Sequence, residues 1–231
     1  SQHELADAYE EIIHRAVYLK LPIRERKGEY IMVWTTTPWT LTSNVALAVH
    51  PDLYYTRVKQ GDDILYISQG VVGRLEGDYE VLDAVQGRDL VGLIYDGPFD
   101  DLPAQRGVAH RIIPWDQVGE EEGTGVVHTA PGCGAEDYEL SKVHGLPAIA
   151  PLDEDGVYVE GFGDFSSKSV FEVAPAVFES LRKKGYLYKL EDYTHRYPRC
   201  WRCKEELIFR LVDEWFISCD GIRPRMVSLP R

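Results

Sequence analysis

From Glu29 onward the chain is built of short apolar runs, each bounded by Gly, Pro or Asp. Residues 30–35, 45–49, 54–58, 64–67 and 79–82 are rich in β-branched and aromatic side chains, so each run predicts a strand. Many short strands at this spacing predict a barrel or a sandwich. Two segments follow a helical period instead. In residues 135–144 the acids Glu136 and Asp137 come early and Lys142 and His144 come late, just before Gly145, which suits the helix dipole. Residues 173–184 put Val173, Val177, Phe178 and Leu181 on one face and stop at Gly185. The fold class expected is mainly β, a β-barrel core with peripheral α-helices. Residues 6–14, from Ala6 to His14, read as a polar lead-in forming a short helix. Residues 223–231 show no clear terminal element.

Composition narrows the function classes. With 231 residues, 44% of them hydrophobic, the chain can build one large core or two small ones. Charged residues make up 27% and no stretch approaches the roughly 20 apolar residues of a membrane helix, so neither a membrane-spanning nor a disordered chain is expected. The formal charge of -13 opposes phosphate backbones, which argues against a DNA partner and against a free-standing nucleic-acid binder. Four cysteines, no secretory leader pattern and no glycosylation sequon around Asn44, the only asparagine, point to a reducing compartment and a cytoplasmic location. Residues 123–128 lack the third glycine of a dinucleotide fingerprint, and neither a phosphate-binding Gly-Lys-Ser/Thr loop nor a Gly-x-Ser-x-Gly elbow occurs.

Two stretches carry the candidate chemistry. Residues 34–44 crowd Thr35, Thr36 and Thr37 at the end of a strand, break it at Pro38-Trp39 and reach Asn44. Consecutive hydroxyls can hold a small polar ligand or a water; as plain strand formers they would make an edge strand. Residues 123–137 end a strand at His128, turn through Ala130-Pro131-Gly132-Cys133-Gly134 and open a helix with Glu136 and Asp137. Helix N-termini favour anions, so these acids complement the dipole, whereas a carboxylate facing a small pocket would hold an ammonium group. His128 is read either as a satisfied, half-buried histidine or as part of that pocket.

Together, Trp-Thr-Thr-Thr-Pro-Trp-Thr-Leu-x-x-Asn with Val-Ala-Leu-Ala-Val-His-Pro after it, and Gly-Thr-Gly-Val-Val-His-Thr-Ala-Pro-Gly-x-Gly-x-x-Asp-Tyr, closely resemble the editing domain inserted into isoleucyl-tRNA synthetases. The resemblance runs over residues 30–216. Valyl and leucyl relatives are similar in fold but carry Thr-Thr-Arg-Pro at the first motif. Two positions depart from the pattern: Thr42 stands where proline is usual and Cys133 where a bulkier residue is common. The resemblance implies residues 1–28 as a lead-in from a parent enzyme, 29–216 as the editing domain and 217–231 as an exit segment. It implies hydrolysis of valine from mischarged tRNA(Ile), with the acceptor end and the rest of the synthetase as partners and no cofactor. Asp137 would hold the ammonium and His128 would limit side-chain size. Thr35, Thr36, Thr37 and Asn44 would hydrogen-bond substrate or water. Trp39, Ala130 and Tyr197 would line the pocket, with Trp39 and Tyr197 also able to pack on the terminal adenosine. A binding module without turnover would need the same side chains.

Cys200 and Cys203 have the spacing of half a zinc site, with Cys219 following but no second Cys-x-x-Cys pair, so an empty or partial zinc site is expected there. Residues 195–204 mix cations with aromatics, which suits either a solvated loop or a contact with single-stranded RNA.

Overall fold

The computed structural model describes residues 9–215, 217–219 and 221–223. Among these residues nine strands form two sheets. β1 (Tyr9–Pro22), β2 (Glu29–Thr35), β4 (Tyr54–Gln60), β5 (Asp63–Ser68), β6 (Glu80–Gln86) and β9 (Leu187–Pro198) make a six-stranded sheet in the order β6-β4-β5-β2-β1-β9. β3 (Ala46–Val49), β7 (Arg111–Pro114) and β8 (Val126–Thr129) make a smaller one in the order β7-β3-β8. Pairing is antiparallel except for β2 with β5 and β3 with β7. Among the described residues the ladders leave two open sheets and no closed barrel, so the mainly β class holds without barrel closure.

The period-2 pattern of the strands explains how the sheets are covered. Val17, Leu19 and Leu21 of β1, Ile31 and Val33 of β2, and Leu47 and Val49 of β3 all enter the main core. The alternate positions Tyr18, Met32, Leu65 and Ile67 enter a second cluster on the other face of the large sheet. On β3 the alternate residues are the small Ala46 and Ala48, which join Leu140 of helix α1 (Ala135–His144) in a third cluster. Helix α2 (Ala174–Lys183) buries Val177, Phe178 and Leu181, the face that its spacing predicts, and Gly185 follows in the left-handed region at φ 72°.

Three expectations need correction. Residues 9–14 are not helical but begin β1; residues 6–8 of that segment lie outside the described residues. The first half of β1 pairs only with β9, where both faces stay largely exposed, so the polar pattern came from a two-stranded ribbon. Residues 195–198 are not a loop but the end of β9. The threonine run is not an edge strand: β2 is flanked by β1 and β5, and only Thr35 of the three belongs to it. Residues 224–231 of the C-terminal segment lie outside the described residues.

Candidate active site

β2 delivers Thr35 to one end of the large sheet. Thr37 follows at the N-terminus of a 3-10 turn, Pro38–Ser43, whose first residue is the proline that a helix start accepts. The turn places Thr40 three residues after Thr37, and the Thr40 hydroxyl donates to the Thr37 carbonyl at 2.8 Å. The small sheet brings His128 to the same place, since β8 pairs with β3 and sets His128 beside Leu47. These elements, Tyr197 of β9 and Asp137 of α1 enclose a cavity of about 270 Å³. Thr35, Thr37, Trp39, Thr40, His128, Ala130, Cys133, Asp137, Tyr197 and Phe209 line it.

His128 is fixed at both ring nitrogens. The Tyr95 hydroxyl donates to Asn44 Oδ1 at 2.6 Å, and Asn44 Nδ2 donates to the Ala46 carbonyl at 2.9 Å and to His128 Nδ1 at 2.8 Å. With Nδ1 accepting, the proton is assigned to Nε2, which donates to Thr40 Oγ1 at 2.9 Å. Burial lowers the His128 pKa to about 4. At pH 7 the neutral ring therefore outweighs imidazolium by about a thousandfold. Both nitrogens are committed to the protein, so the ring offers the cavity shape and little basicity.

Asp137 is the third residue of α1, and its carboxylate turns away from the helix to accept the Ala130 N–H at 2.8 Å. Burial raises its pKa to about 6, against the lowering effect of that hydrogen bond. Among the described residues this carboxylate has no ion-pair partner, and it lines a cavity open to a cation. The turn between His128 and Asp137 is tight. A Cβ on Gly132 would lie 1.8 Å from the Ile149 carbonyl oxygen, so only glycine lets these backbones meet. The Cys133 thiol is buried and burial pushes its pKa up to about 12, which leaves it a small neutral lining group.

The remaining residues are arranged around this centre. Thr36 lines a neighbouring cavity of about 180 Å³, and Thr37, Trp39 and Tyr197 border both cavities. Asn44 does not line the central cavity; it stands behind His128 and reaches the cavity only through that ring. Thr42 donates to the Trp39 carbonyl at 2.9 Å, and the Tyr158 hydroxyl donates to the same oxygen at 2.8 Å, so the turn is held by side chains where a proline is usual. Cys200 and Cys203 share one turn, and backbone N–H groups of Cys203 and Arg202 lower the Cys200 pKa. Among the described residues no group of three or more His, Cys, Asp or Glu side chains is placed to hold a metal, so the donors present do not make a zinc site. Thr40 and Phe209 are lining residues that sequence reasoning missed. Thr40 carried a signal in its spacing from Thr37, whereas Phe209 comes from a segment without secondary structure.

The sequence and the fold are each similar to those of known proteins. The isoleucine–tRNA ligase of Pyrococcus horikoshii is 40% identical over 99% of this chain, those of Methanothermobacter marburgensis and Clostridium tetani are 40% and 36% identical over 95% and 99%, and the chain covers 21–23% of each. The chain thus spans less than a quarter of the length of these relatives. No protein-family model matches it. The crystal structure of GlLeuRS-CP1 superposes with a TM-score of 0.61 at 12% identity, covering 80% of this chain and all of that one. The cytosolic leucyl-tRNA synthetase editing domain of P. knowlesi gives 0.55 at 10% identity, covering 80% of this chain and 97% of that one. By sequence the chain matches a segment of the isoleucine–tRNA ligases, and its fold is that of the leucyl-tRNA synthetase editing domains.

Proposed function

We propose that the chain is a proofreading hydrolase that removes valine from the acceptor end of mischarged tRNA(Ile). The observation that carries this reading is a single cavity in which one motif sets a cation-seeking carboxylate beside a neutral imidazole and the other, through Thr40 and Asn44, clamps that imidazole. Asp137 holds the α-ammonium of the aminoacyl ester by a charge-assisted hydrogen bond. His128, clamped by Asn44 and Thr40, rejects a side chain one methylene longer. Attraction could not achieve this alone, because one methylene is worth only about 1–3 kcal/mol, isoleucine against valine being the worked example of that limit. Thr35 and Thr37 hydrogen-bond the ester or the attacking water. Trp39 and Tyr197, which border both cavities, pass the terminal adenosine into the neighbouring one beside Thr36.

No lining side chain offers an activated nucleophile: the Cys133 thiol is neutral, and both His128 nitrogens are occupied. Water attacks the ester carbonyl, the bond to the ribose oxygen breaks, and that oxygen takes up a proton to restore the tRNA hydroxyl. Fixed dipoles stabilise the charge that develops on the carbonyl oxygen. Residues 29–216 constitute the editing unit, with 1–28 and 217–231 leading from and to a cytoplasmic parent synthetase; β1 ties the first of these segments into the large sheet. Barrel closure and zinc at Cys200 and Cys203 would belong to that larger assembly.

Deacylation assays with Val-tRNA(Ile) and Ile-tRNA(Ile) test the reading. The chain is expected to release valine and spare isoleucine, and His128→Ala to raise isoleucine release toward valine release. No valine release above buffer refutes hydrolysis, and a uniform loss on both substrates in the variant makes His128 a catalytic group instead of a size filter.

A further inference from the structure

The chain leaves β9 through the turn at residues 200–204 and returns as an irregular strap that reaches the cavity at Phe209. Its first residues are pinned by backbone: the Cys200 N–H donates to the Glu205 carbonyl at 2.7 Å and the Leu207 N–H to the Pro198 carbonyl at 3.1 Å. The Tyr197 hydroxyl donates to the Leu207 carbonyl at 2.9 Å. Side chains add a second tie. His14 Nε2 donates to the Glu206 carboxylate at 3.0 Å, and His195 Nε2 donates to His14 Nδ1 at 3.0 Å, so Glu206 is anchored to β1 and β9 together. Ile208 packs against the main core. Phe209, the next residue, is thereby held in the wall of the cavity that His128 and Asp137 line, and its surroundings continue past Gly134, Ala135 and Tyr138 of the α1 start.

From this placement we infer that Phe209 is a second specificity-determining residue, one that fixes the size limit of the pocket jointly with His128. The inference rests on the hydrolytic reading above and adds to it. A single rigid wall rejects a longer side chain only if the ligand cannot shift aside. With its ammonium held at Asp137, an amino acid can still rotate away from His128 unless another wall stops it. Phe209 supplies that wall with a large apolar ring that has only two rotatable bonds, on a strap whose position is fixed immediately before it. The ligand class is the branched apolar side chain of an α-amino acid ester, and the discrimination arises from exclusion at both walls.

Phe209 is 45% exposed, so truncating it leaves the core intact. Phe209→Ala, Phe209→Leu and Phe209→Trp should be compared with the unaltered chain in the ratio of isoleucine to valine release from matched tRNAs. The ratio is expected to rise about tenfold or more in Phe209→Ala, with Phe209→Leu between, while Phe209→Trp slows valine release. A ratio that stays within about twofold of the unaltered chain in both the Ala and the Trp variant overturns the inference, whatever happens to the absolute rates. Relative affinities for the valyl and isoleucyl amides of aminoadenosine read the same limit without turnover. If the chain binds the valyl amide and hydrolyses nothing, the hydrolytic reading falls and Phe209 is judged on the affinity ratio alone. Equal affinity of the unaltered chain for both amides, or no binding of either, overturns the size limit itself.

Discussion

Asp137 is the residue at which pH and function meet. Burial raises its pKa to about 6, so the protonated form is favoured in the fold and the ionised form is held at a cost. The linkage sign follows: the stability this carboxyl contributes is fully present below its ordinary range and is lost as pH rises through about 6. Ammonium binding needs the ionised form and so runs the other way. Valine release is therefore expected to fall as pH drops through about 6, and Asp137→Asn to be slow at every pH, with a flatter stability profile between about 4 and 6. Rate–pH profiles and urea midpoints of both proteins check this; a wild-type rate that is flat across the window shows that Asp137 does not hold the ammonium. That Asp137 and His128 line one cavity was legible in the sequence, because both belong to one short glycine-rich motif. The indirect role of Asn44 was not, because it depends on which neighbour fills the space between Asn44 and the cavity.

Among the elements, the Gly-rich turn between β8 and α1 carries the tightest constraint. The Gly132 position faces backbone, with the Ile149 carbonyl carbon at 2.4 Å and the Ala150 Cα at 2.9 Å from where a Cβ would stand. Backbone cannot swing aside as a side chain can, so Gly132→Ala should destabilise the fold by about 1–3 kcal/mol and displace α1 with Asp137. Thermal unfolding measures the first effect and valine release the second; an unchanged midpoint would mean that residues 149–150 move freely. The same scale shows what patterning can reveal. β2 to β5 and α2 each bury one or both faces against a core, and their runs stand out. β1 and β9 bury only their inner halves, Val17, Leu19 and Leu21 among them, and their paired outer halves hold residues such as Glu10, Glu11, Asp192 and Arg196 on a ribbon largely exposed on both faces, which masks the period. β7 is short and has Arg111 and Pro114 at its ends, which leaves two apolar residues to mark it.

At the scale of the whole molecule the proposed function sets a chain of charge -13 against an RNA end of the same sign. Several of the chain's arginines are already engaged by carboxylates. Arg15 meets Asp192 at 3.1 Å, Arg199 meets Glu10 at 3.2 Å, and Arg182 pairs with Glu179 at 2.7 Å. Arg196 and Arg202 instead lie over the rings of Tyr9 and Trp201 and have no ion pair among the described residues. Two such cations on neighbouring stretches of chain can meet two phosphates of a single-stranded end. For single strands the affinity falls with a logarithmic slope of about 0.7 per phosphate neutralised, so two contacts give a slope near 1.4 and a loss of roughly sevenfold between 50 and 200 mM salt. Net negative charge adds long-range repulsion, which salt screens and which keeps the encounter weak at low ionic strength. Binding of a tRNA acceptor-stem mimic, titrated at those two salt concentrations, should therefore be weak throughout and lose several-fold, and Arg196→Gln with Arg202→Gln should abolish most of the loss. Tight binding that ignores salt would mean that the RNA end is captured by the apolar cavities alone, and that the charge distribution of the molecule has no part in delivering its substrate.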